Sequence, residues 1–361
     1  MSVRTVGPNG AYKTLTAAIT AAQDRDQIAV QAGTYVNDFP STLDKNLTIT
    51  AVDGIAHFQA SAAPSNGKAI FVVGDSPAST TTVTLNYLEM SGVQVPDANG
   101  AAIRYQGGTL VVNDCFIHDN QDGILGNSGT IGTVWLNNTE FADNGAGDGQ
   151  SHNIYIETGT LNINGIYSHS ANVGHELKSR SAVTMIKNSW FQDETATASY
   201  CLDFPNGGYV SVIDCMIQKG VNAQNHTCMI AYGEEGATLP GSLIVQQTTL
   251  VNDQPALHEA IWNASSNLAS VNSNSIFNVG TVLAGPGHVA STRTLSAHPL
   301  LNYASPIVPA PTPQPTPSPT HAPSVTKNAI LALCTTLKGQ IGSNRKAQAT
   351  LAHIVADLTA L

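Results

Sequence analysis

The clearest order in the chain is a short alternation of apolar and polar residues that keeps returning. It is complete at Gly108-Thr-Leu-Val-Val-Asn-Asp-Cys-Phe-Ile and comes back at 133–141, 159–167, 183–191, 210–217 and 242–250. Each unit has apolar residues two apart, then a polar pair, then one or two more apolar residues. A period of two predicts a strand whose side chains point alternately to opposite faces. The polar pair predicts a bend, because Asn and Asp tolerate the left-handed backbone. The units recur roughly every 20–30 residues, the spacing of a solenoid coil. No helix-length pattern separates them, which argues against a doubly wound α/β sheet. The expected fold is therefore all-β: a right-handed parallel β-helix of stacked coils.

A second strand in each coil follows from the same alignment. Its inward position is Ile103, Ile124, Ile154, Leu177, Leu202 and Ile230, a column of aliphatics fit to form one continuous core. The position just after that column, facing outward, reads Arg104, Leu125, Tyr155, Lys178, Asp203 and Ala231. The position just before it reads Ala102, Gly123, Asn153, Glu176, Cys201 and Met229, and strict alternation predicts that it too faces outward.

The ends differ from this repeat. Residues 12–23 have apolar positions three and four apart and predict a helix, which would cover the open end of the solenoid core. Residues 27–35 then read as a strand and turn. The β-helix domain is expected over 1–304, followed by a stiff Pro-rich linker at 305–323. Residues 324–361 read as a small α-helical hairpin, too small to bury enough apolar surface alone and so expected to serve self-association or docking.

Composition narrows the function. The 361 residues are 42% hydrophobic and only 11% charged, with a formal net charge of −10. An acidic chain without a basic run is a poor partner for nucleic acid. No apolar run reaches the length of a membrane span. The five cysteines, Cys115, Cys201, Cys215, Cys228 and Cys334, show no metal-binding spacing and are read as buried thiols. The first residues lack the apolar stretch of a secretion signal. The functional reading nevertheless expects an extracellular, cell-surface or particle-associated protein.

Against that low charge, the segment Gly174-His-Glu-Leu-Lys-Ser-Arg-Ser is dense in ionisable groups. Adjacent coils stack at about 4.8 Å, so Tyr155, Lys178 and Asp203 should form one ladder. Arg180 is expected beside Glu157, with His152, His175 and Tyr200 at the strand's entry. The favoured reading is a site for an acidic, uronate-containing polysaccharide, cleaved by a lyase. Lys178 and Arg180 would neutralise the carboxylate, Lys178 or His175 would be the base, and Tyr155 the acid. Asn153, His152, Glu157, Asp203, Tyr200, Arg104 and Tyr232 would line the groove, and Glu176 with Asp203 would hold a Ca²⁺ ion if one is used. The alternative is a non-catalytic filament subunit, adhesin or tailspike-like component. A hydrolase or epimerase ranks last, because too few carboxylates converge.

Two resemblances bear on this. Residues 12–35 resemble the capping segment of pectate-lyase-like β-helix proteins, and the chain to about residue 300 resembles bacterial right-handed β-helix repeat proteins. Glu176-Leu-Lys178-Ser179 is similar to a stretch of the chondroitinase B and alginate lyase family. That likeness implies a basic Lys178 and a calcium-binding Glu176. Where the family carries a further catalytic Arg one coil on, this chain has Asp203.

Overall fold

A computed structural model of the chain describes residues 2–303. Among the described residues there are thirty strands and one short helix; the helix joins the first two paired strands, and after it the chain turns from strand to strand. The strands stack in parallel into three ladders. The first runs through Thr109–Asn113, Thr133–Asn137, Thr160–Asn164 and Val183–Lys187. The second follows each of these after a bend, through Phe116–His118, Glu140–Ala142, Tyr167–His169 and Trp190–Gln192. The third is a separate sheet that includes Asp122–Gly126, Ile154–Ile156, Leu177–Ser179, Leu202–Phe204 and Ile230–Tyr232. Each strand pairs with its counterpart one coil on, which makes the chain a parallel β-helix.

The polar pair does what its chemistry suggests. Its second residue sits in the left-handed region in coil after coil, with φ of 53° at Asp114, 45° at Asn138 and 50° at Asn188, and Asp214 takes the same place with 55°. The preceding asparagines bond up the stack: Asn137 Nδ2 donates to Asn113 Oδ1 at 2.9 Å, and Asn113 Nδ2 to Asn86 Oδ1 at 2.8 Å. Bends are thereby kept in register without a large core at the corner.

The aliphatic column is as aligned. Ile103 pairs with Ile124 and Ile124 with Ile154; Leu177 pairs with Leu202 and Leu202 with Ile230, all fully buried. The helix is shorter than expected, Leu15–Ala21, and buries Leu15, Ala18 and Ile19. Asp38 fixes its start by accepting from the Leu15 and Thr16 amides. Cys115, Cys201, Cys215 and Cys228 are buried free thiols. Among the described residues no helix is long and apolar enough to cross a membrane. The linker beyond Tyr303, the helical hairpin and Cys334 lie outside the described residues.

One expectation about polarity is wrong. Asn153 and Glu176 face the interior, and both are fully buried. The strand there is only three residues long, Leu177–Ser179, so alternation does not extend back to Glu176. The whole column turns inward at this corner. At Gly123 a Cβ would lie 2.3 Å from the Asn153 carbonyl oxygen, so only glycine fits.

Candidate functional site

The site grows from the register of the third sheet. Tyr155 pairs with Lys178 and Lys178 with Asp203, which puts the three side chains on one outward face. Lys178 Nζ lies 3.1 Å from Asp203 Oδ2. Arg180, two residues on, shares that face; its Nε donates to the Tyr155 hydroxyl at 2.9 Å. A further Arg180 nitrogen, Nη1, donates to Asn206 Oδ1. Both cations lie 5.9 Å from the centre of the Tyr155 ring.

Two residues absent from the expected site complete it. After Ile230–Tyr232 the chain makes a tight loop, Gly233-Glu-Glu-Gly236, with the Gly236 amide donating to the Gly233 carbonyl at 3.2 Å. Both glycines have positive φ, 79° and 89°, a conformation that glycine adopts without strain. The loop carries Glu235 back over the sheet. Its carboxylate takes one bond from each cation: Lys178 Nζ at 2.9 Å on Oε1 and Arg180 Nη2 at 2.6 Å on Oε2. Glu234 lies on the other side, close to the Asp203 carboxylate. Burial, and then the Asp203 charge, push the Glu234 carboxyl up to about 8, so it keeps its proton at neutral pH.

The histidines are held as neutral rings. His152 and His175 stack with centroids 4.6 Å apart, and His175 stacks on Tyr200 at 5.2 Å. The His175 amide donates to His152 Nδ1 at 3.0 Å, and the Tyr200 amide donates to His175 Nδ1 at 3.1 Å. Both Nδ1 atoms are therefore acceptors, and the ring protons sit on Nε2. In His175 that Nε2 lies 3.4 Å from Asp203 Oδ2. Burial, with the nearby Lys178 charge, drives His152 down to about 3, and His175 is also pushed well below its ordinary value.

This geometry revises several expected roles. His175 has no free lone pair to serve as a base. Burial alone would lower Lys178, but Asp203 and Glu235 outweigh it and raise its pKa, so Lys178 is a fixed positive charge. Glu176 and Asp203 do not meet and form no calcium site. Glu176 is spent in the interior on the Ala171 amide, Asn153 Nδ2 and Ser168 Oγ. Tyr232 is fully buried, with its hydroxyl on the Gly208 carbonyl, and lines no groove. Arg180 pairs with Glu235, while Glu157 accepts from the Gly129 amide at 2.7 Å. Glu157 does border the face: with Arg104, Asn127 and Tyr155 it lines a shallow depression of about 370 Å³. Arg104 is steadied there by Asn127 Oδ1 at 3.0 Å.

Glu234 and Glu235 left one trace in the sequence. They form the adjacent pair of acids between glycines in a chain poor in charge, but nothing local showed which coil they would reach.

No family model and no curated protein matches the chain. Among solved structures it is similar to pectate lyase Pel9A, at 13% identity over 82% of this chain and 79% of that one, with a TM-score of 0.44. It is also similar to the pectin methylesterase from Aspergillus niger, at 13% identity over 83% and 91% of the two chains, with a TM-score of 0.36. A pectin methylesterase in complex with a hexasaccharide matches at 9% identity over 76% of this chain and 79% of that one, with a TM-score of 0.34.

Proposed function

We propose that this β-helix binds an acidic, uronate-containing polysaccharide along the face of Tyr155, Lys178 and Arg180, and cleaves it by β-elimination outside the cell. One observation carries the reading. A single carboxylate, that of Glu235, spans Lys178 and Arg180 with one oxygen on each. A uronate carboxylate has the same shape and charge, and arginine with lysine is well suited to hold it.

Elimination needs the substrate carboxylate neutralised, the proton beside it removed and the leaving oxygen protonated. Substrate entering the cation pair displaces Glu235. The released carboxylate is then the base at hand, in place of Lys178 or His175. The proton goes from C5 of the uronate to Glu235, the C4–O bond breaks as the C4–C5 double bond forms, and the departing oxygen takes the Tyr155 proton. Tyr155 is set for this because its oxygen already accepts from Arg180, leaving its own proton free to donate. The depression beside Arg104 and Glu157 would hold a neighbouring sugar.

Tyr155→Phe tests the assignment. It should keep glycan affinity while losing formation of the unsaturated product, read as ultraviolet absorbance. Undiminished product formation would remove Tyr155 from the reaction.

One observation favours a second reading, a non-catalytic structural protein: Lys178, Arg180 and Asp203 are already partnered within the chain. On that reading the network only pins the 233–236 loop. Glu235→Gln would then lower the melting temperature and create no glycan binding.

A further inference from the structure

The second ladder carries a cluster that the glycan face does not use. His57, Glu89 and His118 come from three successive coils and converge on its outward side. A donor atom from each lies within 4.8 Å of the others, and all three residues are half-buried. Glu89 Oε1 is the hub, 3.2 Å from His118 Nε2 and 3.6 Å from His57 Nδ1.

The outer bonds of the rings decide what faces that hub. His118 Nδ1 lies 2.7 Å from Asp119 Oδ2, and a carboxylate only accepts, so Nδ1 carries the proton. Phe116 stacks on the same ring at 4.0 Å and fixes its plane. His57 Nε2 lies 2.8 Å from Ser91 Oγ, a partner that suits an Nε2 proton. The two ring nitrogens nearest Glu89, His118 Nε2 and His57 Nδ1, thus converge with its carboxylate oxygen on one point, where a cation could replace the ring protons.

We propose that His57, Glu89 and His118 form a binding site for a divalent transition metal ion, zinc by the character of the donors. Two imidazoles and a carboxylate are the donor set of three-ligand zinc sites, with a fourth position left to solvent. The spacing suits it. Zinc–ligand bonds of about 2.0–2.1 Å at tetrahedral angles place ligand atoms about 3.3–3.4 Å apart, beside the 3.2 and 3.6 Å found here. Asp119 behind His118 is the outer carboxylate that orients a metal-bound histidine. Further along the same ladder His169 meets Glu140 at Nε2 and Glu194 at Nδ1, on opposite sides of the ring, so its partners do not converge on one point.

Drawing its ligands from three coils, the ion would staple the solenoid near its N-terminal end. The test is titration of the tag-free full-length chain with Zn²⁺ alone, and with Co²⁺ as a spectroscopic probe. The wild type should bind one equivalent, give the intense visible bands of tetrahedral Co²⁺, and melt at a higher temperature with zinc than with chelator. His57→Ala and His118→Ala should lose all three signals, and His169→Ala should keep them. Asp119→Asn, at an exposed position that cannot threaten the fold, should weaken zinc binding about tenfold. No binding by the wild type, or binding unchanged in His118→Ala and Asp119→Asn, would overturn the proposal.

Discussion

Arg180 Nη2 lies 2.6 Å from Glu235 Oε2 across a sequence separation of 55 residues. With the Lys178 bond beside it, this contact makes Glu235 a stand-in for an acidic ligand. Glu235→Gln should therefore separate binding from turnover. The bonds are partly solvated, so freeing the cations should tighten binding of an acidic oligosaccharide by about two- to fivefold. Product formation should fall to background, because the base is gone. Calorimetry and an absorbance assay on the same preparation check both halves.

The interior holds a buried ion pair, Lys219 Nζ to Asp193 Oδ2 at 3.2 Å, with both side chains fully buried. Removing one partner strands a charge in the core. Lys219→Met should destabilise the chain by about 3–5 kcal/mol. Adding Asp193→Asn should restore much of that loss. Urea denaturation of the single and double variants measures it.

Glu176 gives stability a defined dependence on pH. Burial, and then the nearby Asp193 charge, raise its pKa from an ordinary 4.5 to about 8. The folded chain thus holds a proton that the unfolded chain releases at lower pH. The favourable contribution is full below about 4.5 and is lost as pH rises through about 8. Folding free energy should fall between pH 5 and 9 by an amount on the order of a few kcal/mol, and the melting temperature should fall with it. Glu176→Gln should flatten this trend; an unchanged slope would exclude Glu176 as its source.

The bends can be tested at Asn138, where φ is 45°. A β-branched side chain is strained there, so Asn138→Val should cost about 1–2 kcal/mol. Asn138→Gly should cost less, because glycine adopts this backbone freely. Thermal melts of the two variants distinguish the backbone effect from the loss of a side chain.

What was legible in the sequence follows from what repeats. Stacked coils place like on like, so aligning Ile103, Ile124, Ile154, Leu177, Leu202 and Ile230 also fixed the pairing of Tyr155, Lys178 and Asp203. Alternation failed at Asn153 and Glu176, because strands of three residues end before the rule can reach them. The segment Tyr232-Gly-Glu-Glu-Gly236 could be read as a groove extension or an acidic loop, but a loop, and not a strand, brings Glu234 and Glu235 to the site, so no alignment of strands could assign them to Lys178 and Arg180. His57, Glu89 and His118 are far apart in sequence and lie in the second ladder, where His57 pairs with Glu89, and Ser91 with His118, one coil on.

The central claim is that the Lys178 and Arg180 pair receives the carboxylate of a glycan that the chain then cleaves. The most direct measurement is product formation on a panel of uronate polysaccharides, comparing the wild type with the Lys178→Ala, Arg180→Ala double variant. The account predicts unsaturated oligosaccharides from at least one substrate with the wild type, and none from the folded double variant. Equal product from both proteins, or neither product nor binding from the wild type on any acidic glycan, would contradict it.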